Sequence, residues 1–281
     1  MKRHLSLCIC LFLGSLASYS AAGAQDSPVR AYFAEEAPLR VVEDRLRLEI
    51  GAFGAGIDTI LRVDQSPILR GSEISGENDL ALANAKVLPQ LELTLLPGSR
   101  NLIRLSSMSL RRSAQTQLSR RILFDDQVYL ANERVSSTLD FALFGLAYGY
   151  QFLKSERFDV AATIGVQIAE IEANAIVTNR VLRDAESGVA PLPVLGIEGR
   201  AFLGPRWSVE GRVQYLSVDI KEVAGSFVDA RLSALWRMGP HLAAGLGYRY
   251  FNLSVDSRSA RTPGRMDFSI AGPVVFMQAS L

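Results

Sequence analysis

The chain has 281 residues, with 30 Lys and Arg against 29 Asp and Glu, and 48% of it is hydrophobic. Near-neutral charge gives no footprint for nucleic acid. Cys8 and Cys10 are the sole cysteines, so nothing after the first ten residues can supply a thiolate metal site, a Cys nucleophile or a disulfide. Mean hydropathy is positive, yet no later run of 18 or more apolar residues exists, which excludes a transmembrane helix and places the hydrophobicity in alternation.

In chain order, residues 1–24 read as a secretory signal peptide. Lys2 and Arg3 open it, an apolar run follows from Leu5 to Leu16, and Ala22-Gly23-Ala24 fits the A-x-A cleavage pattern. Its removal takes Lys2 and Arg3 with it and leaves 28 basic against 29 acidic residues. Residues 25–43, "QDSPVRAYFAEEAPLRVVE", fit no strand pattern and are expected to be a periplasmic N-terminal segment.

From residue 44 to 281 the period is two. Ten segments are predicted as strands: 44–63, 83–96, 101–118, 135–153, 157–177, 192–203, 207–219, 225–238, 242–258 and 265–281. The first contains "GAFGAG" (51–56), read as a curved strand because no helix follows it. It could also fold as two short strands around Gly54–Gly56, which keeps a count other than ten open. Tight turns at "PGSR" (97–100), "KSER" (154–157), "GPR" (204–206) and "MGPH" (238–241) take turns with longer connections at 64–82, 119–134, 178–191, 220–224 and 259–264. Short turns at one rim and longer loops at the other are the layout of a transmembrane β-barrel. The fold class is therefore all-β, an antiparallel up-and-down barrel of about ten strands, with twelve or eight as alternatives. A soluble sandwich or lipocalin-like barrel is the competing reading of the same alternation.

Facing is legible strand by strand. Trp207, Val209, Val213 and Tyr215 oppose Glu210, Arg212 and Gln214; Val228, Leu232 and Trp236 oppose Asp229, Arg231 and Arg237. Tyr150, Phe152, Phe158, Trp207 and Trp236 cluster beside tight turns, as an interface aromatic girdle requires. Charges on the opposite face are predicted to point into the lumen and pair there. The arginines are Arg45, Arg47, Arg104, Arg200, Arg212, Arg231, Arg237 and Arg249; the carboxylates are Glu49, Glu92, Asp159, Glu198, Glu210, Asp229 and Asp267. Eight against seven is a balance that suits ion pairing better than a charge-selective pore.

No catalytic constellation is visible. His4 leaves with the signal, and His241 lies in a turn at the periplasmic rim. The loop "GSEISGEND" gathers Glu73, Glu77 and Asp79, a weak candidate for a divalent cation whose spacing matches no standard calcium loop. No metal and no cofactor are expected.

The signal peptide, the turn and loop alternation, the stretches "GAFGAGIDTILRVD" and "AYGYQFLKSERFDVAATIGV", and the close "GPVVFMQASL" together resemble small porin-like outer-membrane β-barrels of Gram-negative bacteria. The resemblance covers about residues 44–281. It implies a monomer in the cell outer membrane, in contact with outer-membrane lipid and lipopolysaccharide. It also implies recognition of the last strand by the outer-membrane assembly machinery, although Leu281 stands where such barrels usually carry Phe. The function expected is a structural, surface-interaction role with a lumen largely filled by ion pairs. The alternatives are a narrow pore for small solutes and an outer-membrane hydrolase acting on lipid or peptide.

Overall fold

The computed structural model describes residues 44–64, 70–124, 127–177, 182–220, 223–257 and 263–281; the signal peptide and the segment 25–43 lie outside the described residues. Among the described residues there are thirteen strands: β1 (Leu46–Val63), β2 (Ile74–Ser75), β3 (Ala85–Leu95), β4 (Asn101–Gln117), β5 (Ile122–Phe124), β6 (Gln127–Tyr129), β7 (Arg134–Lys154), β8 (Phe158–Val177), β9 (Leu182–Phe202), β10 (Trp207–Ile220), β11 (Val223–Arg237), β12 (Leu242–Ser257) and β13 (Gly264–Ser280). Ten of them pair in the order β1-β3-β4-β7-β8-β9-β10-β11-β12-β13, and β13 returns to β1. The result is a closed antiparallel up-and-down barrel. The two-residue β2 pairs with β1, and β5 with β6 forms a separate hairpin; both belong to the long connections predicted at 64–82 and 119–134.

The ring closes through fifteen residue pairs, from Arg47 opposite Ser280 to Val63 opposite Gly264. Around the seam the Arg45 and Leu46 amides donate to the Leu281 carbonyl at 2.6 and 3.0 Å, and the Leu281 amide donates to Leu46 at 2.9 Å. β1 is continuous through Gly54 and Gly56, so the count is ten. Only the pairs opposite Gly272 and Pro273 are interrupted. A Cβ on Gly272 would strike the Gly54 carbonyl, so the two backbones approach as glycine alone allows.

One predicted boundary moves. The segment read as starting at 192 begins ten residues earlier, at Leu182, and pairs with β8 along its whole length. On its other side β9 pairs with β10 only from Leu195 to Phe202. Among the described residues, its loop-ward half therefore has no second neighbour. Pro191 and Pro193 sit in that half. Proline donates no ladder hydrogen bond and is tolerated where an edge is bare, which is why the sequence there reads as a loop.

The apolar belt covers the turn-ward part of the wall. On β7 it runs from Phe144 to Phe152, all outward and about half exposed; at a strand tilt near 40° that length stands roughly 20 Å tall, close to the lipid-facing band of such barrels. Trp207 and Trp236 face each other in register, rings stacked with centroids 6.5 Å apart. Tyr150, Phe152 and Phe158 are also outward and exposed beside the "KSER" turn.

Loop-ward of the belt the alternation changes phase. On β12, Leu246, Tyr248 and Tyr250 point outward, whereas Phe251 and Leu253 point inward and are buried. On β13, Val275 and Met277 are exposed, whereas Phe268 and Ile270 are wholly buried. The wall beyond the bilayer is built as a soluble barrel is, with its apolar side inside.

Candidate functional site

The turn-ward lumen is organised by like charges that are neighbours in the wall. Glu49 on β1 lies opposite Glu92 on β3. Across the barrel, Arg212, Arg231 and Arg249 stand side by side on β10, β11 and β12. Like charges directly opposite in a sheet repel, so each side chain reaches across the lumen for its counterion. Glu92 accepts Arg212 on both oxygens, at 3.1 and 2.9 Å, and pairs with Arg104 at 2.9 Å. Arg104 also reaches Glu198 at 2.6 Å. Arg231 pairs with Glu49 at 2.6 Å, its guanidinium 4.2 Å from the centre of the Phe276 ring. That ring fits because position 245 is glycine; a Cβ there would lie inside it. Arg200 pairs with Glu210 and donates to Gln278 at 3.4 Å. Arg249 forks onto Asp229 with two bonds of 2.8 Å. Two small cavities, of about 80 and 20 Å³, remain between these groups.

Above the charges the lumen is apolar. Phe141, Phe227, Phe251 and Phe268 form a contiguous aromatic cluster, with centroid separations from 4.7 to 6.2 Å. Phe53, Ile57, Leu88, Met108, Leu110 and Ile270 complete the same buried cluster. Arg249 joins the two levels, its guanidinium 3.8 Å from the Met108 sulfur and 5.9 Å from the centre of the Phe53 ring.

A third level straps the loops to the wall. Arg112 on β4 is fully buried; it pairs with Glu77 and donates to Thr59 Oγ1 at 2.6 Å. Glu77 accepts the Thr59 amide at 2.9 Å as well. Arg120 forks onto Asp79 at 3.0 and 2.7 Å, and Asp79 accepts the Ser75 amide at 2.8 Å. The hydrogen bonds from Arg120 hold the Asp79 carboxyl below the usual carboxylate range. Arg62 meets Asp64 at 3.0 Å and Glu73 at 3.5 Å.

Eleven of the fifteen proposed lumen charges have an ion-pair partner across or along the lumen wall: Arg47, Glu49, Glu92, Arg104, Glu198, Arg200, Glu210, Arg212, Asp229, Arg231 and Arg249. Arg47 finds its partner in Asp44, at 3.2 Å. Asp159 stands in register with Arg200 on the neighbouring strand. Arg237 ends β11 at the turn rim, where its amide donates to Arg206 at 2.8 Å. Two assignments are corrected. Arg45 precedes β1 and is exposed at the rim rather than in the lumen. Asp267 shares the outward face of β13 with Val275 and Met277, and pairs with Arg265 at 2.7 Å. It lies loop-ward of the belt, where the polar face is the outer one.

The cation loop is corrected too. Glu73, Glu77 and Asp79 do not converge; each is engaged by a different arginine, Arg62, Arg112 and Arg120. Among the described residues no group of three His, Cys, Asp or Glu side chains could hold a metal ion. His241 lies against the Ser280 carbonyl, Nδ1 to oxygen 2.9 Å, at the turn end. The aromatic lumen layer and Arg112 were not assigned from the sequence. The phase change in "YRYFNL" (248–253) was the available signal for the first; nothing local marks the second.

No protein-family model and no curated protein matches the sequence. Among solved structures, the outer-membrane protease OmpT from Escherichia coli is similar with a TM-score of 0.56 at 10% identity, over 86% of this chain and 99% of that one. The transport unit of the autotransporter AIDA-I from Escherichia coli has a TM-score of 0.43 at 9% identity, over 88% and 94%. Ail, the attachment invasion locus protein of Yersinia pestis, has a TM-score of 0.36 at 8% identity, over 84% and 99%. Ten antiparallel strands closed in a ring, filled inside and belted with apolar side chains outside, give this chain the fold of an outer-membrane β-barrel protein.

Proposed function

We propose that this barrel is a closed-lumen outer-membrane protein whose work is done at its loop end, in a structural and surface-interaction role. One observation carries the reading: the lumen is blocked at two successive levels, by the cross-lumen ion pairs around Glu92 and by the aromatic cluster around Phe251. A solute would have to displace both, and the spaces between charges are no larger than about 80 Å³. The strapped segments 70–82, 118–124 and 127–130 and the long paired strands β8 and β9 then supply the surface offered to a partner. The belt meets outer-membrane lipid and lipopolysaccharide, and the barrel works as a monomer. The final strand, ending at Leu281, is the segment handed to the assembly machinery.

The same reading assigns no catalysis. The carboxylates of loop 71–79 are engaged by arginines, and His241 lies at the opposite end from the loops. The test is conductance in a planar bilayer, with the barrel inserted from detergent and its folding checked by the mobility shift between boiled and unboiled samples. The expected record is a flat baseline. Reproducible unitary steps would overturn the closed lumen and favour a narrow pore.

A further inference from the structure

Five strands rise from the turn end, β1, β4, β8, β10 and β12, and the residue before each is basic: Arg45, Arg100, Arg157, Arg206 and His241. The structural position is the same five times. Each of these carbonyls accepts an amide near the end of the descending strand beside it. Leu96 donates to Arg45 at 2.9 Å, Gln151 to Arg100 at 2.7 Å, Phe202 to Arg157 and Arg237 to Arg206 at 2.8 Å, and Ser280 to His241 at 2.9 Å. All five basic residues are exposed. Among the described residues the four arginines have no ion-pair partner, unlike Arg47, Arg104, Arg200 and Arg231 in the lumen above them. Over residues 44–45, 97–100, 154–157, 204–206 and 237–241 the rim carries six Arg and Lys against two side-chain carboxylates, Asp44 and Glu156, an excess of four positive charges. Asp44 is already taken by Arg47.

We propose that this ring holds the phosphates of anionic phospholipids in the periplasmic leaflet, one headgroup to each base. Height selects the ligand. Phe158 and Trp207 directly follow Arg157 and Arg206 and point outward, 50% and 54% exposed. One step along a strand is about 3.4 Å, so each of these bases starts that far below a girdle ring. Girdle aromatics sit at headgroup level, and a guanidinium on a flexible stem reaches the phosphates beside them. Guanidinium and phosphate then pair through two parallel hydrogen bonds. Spacing selects the stoichiometry. Rising strands are every second strand of the wall, so the bases stand roughly 10 Å apart right round the barrel. A small soluble anion needs charges that converge on one point, whereas a ring spread over the whole circumference suits separate headgroups. The inference rests on the belt meeting lipid, and it is independent of whether the lumen conducts.

The test reads the lipid beside the girdle. Trp207 and Trp236 are the two tryptophans of the chain; they stack on each other and adjoin Arg206 and Arg237. The whole barrel is folded into vesicles of phosphatidylcholine and phosphatidylglycerol in equal parts, with the acyl chains of one or the other brominated. Tryptophan quenching then gives the proportion of each lipid at the rim. Both leaflets are alike, so the direction of insertion is immaterial. A base at an anionic bilayer surface is worth on the order of fivefold in affinity. The proposal expects phosphatidylglycerol to be enriched about threefold or more beside the tryptophans at low salt. The preference is expected to vanish near 1 M salt, where the Debye length is about 3 Å. Arg206→Gln is expected to lower the enrichment by at least half, Arg206→Lys to keep most of it, and Arg45→Gln, at the distant seam, to leave it unchanged. Equal quenching by the two lipids would overturn the proposal, as would an enrichment unaltered in Arg206→Gln. A loss in Arg45→Gln as large as in Arg206→Gln would mean one convergent site and would overturn the ring of separate headgroups. Suppression by inorganic phosphate at fixed ionic strength would overturn the lipid source in favour of a free anion. If Arg206→Gln gives no gel mobility shift, the salt dependence of the unaltered barrel decides. Quenching by neither lipid would remove the belt itself, whereas quenching without preference removes this inference alone.

Discussion

On β12 the outward residues Leu246, Tyr248 and Tyr250 belong to the belt, and a few positions on, Phe251 and Leu253 turn the apolar side inward. The same reversal separates Met277 from Ile270 on β13 and Phe144 from Phe141 on β7. Within the bilayer the outside is apolar and the inside charged; beyond it the outside is polar and the inside aromatic. The outer face thus follows the solvent, and the interior takes what is left. The two interiors also differ in what they tolerate. An ion-pair layer depends on matched partners, whereas an apolar layer depends on volume.

The sharpest way to break that contrast is at Glu92, which neutralises Arg104 and Arg212 together. Glu92→Ala leaves two guanidinium groups facing each other without their shared carboxylate. A loss of about 3–5 kcal/mol is expected, read as a lower urea midpoint for the folded, heat-modifiable band. In the apolar layer, Phe251→Leu keeps most of the volume among Phe141, Phe227 and Phe268. Its expected cost is no more than about 1.5 kcal/mol in the same assay. A Phe251→Leu loss equal to that of Glu92→Ala would erase the distinction between the two layers.

The smallest effect is at the loops, and it is a matter of pH. The carboxyl of Asp79 titrates lower folded than unfolded because Arg120 donates to it. Its contribution is therefore complete above the unfolded value of about 4 and disappears as the pH falls through the depressed folded value. Protection of the Ser75 amide, which donates to Asp79, is expected to survive to pH values below 4 and then fail. In Arg120→Gln it is expected to fail at a less acidic pH. An unchanged midpoint of protection in that variant would detach the strap from Asp79.

Nine of the ten wall strands were legible in the sequence to within two residues at either end, because lipid on one side imposes a strict period of two. β9 was not: residues 182–191 read as loop, and only the bare edge shows why Pro191 is allowed in a strand. Parity picked out the proposed lumen charges, but it says nothing of which carboxylate each arginine reaches. Asp267 was misplaced because a charge was taken to mean the lumen on both sides of the belt boundary, although it shares the parity of the outward Val275 and Met277. The strap of Arg112 to Glu77 and Thr59 joins residues 35 and 53 positions apart, and no local pattern announces such a contact.

The seam between β1 and β13 joins residues more than two hundred positions apart. Bringing such distant ends together in a flexible chain costs about 5 kcal/mol of loop-closure entropy, far more than one ladder contact returns. The fifteen pairs must form nearly together or not at all. Until they do, β1 and β13 each present a line of unanswered amides and carbonyls, and an unclosed sheet with two such margins invites pairing with any other strand it meets. Slow, high-contact-order closure thus makes the interval before closure the most hazardous in the life of this protein. The last strand to dock is also the one that ends the hazard.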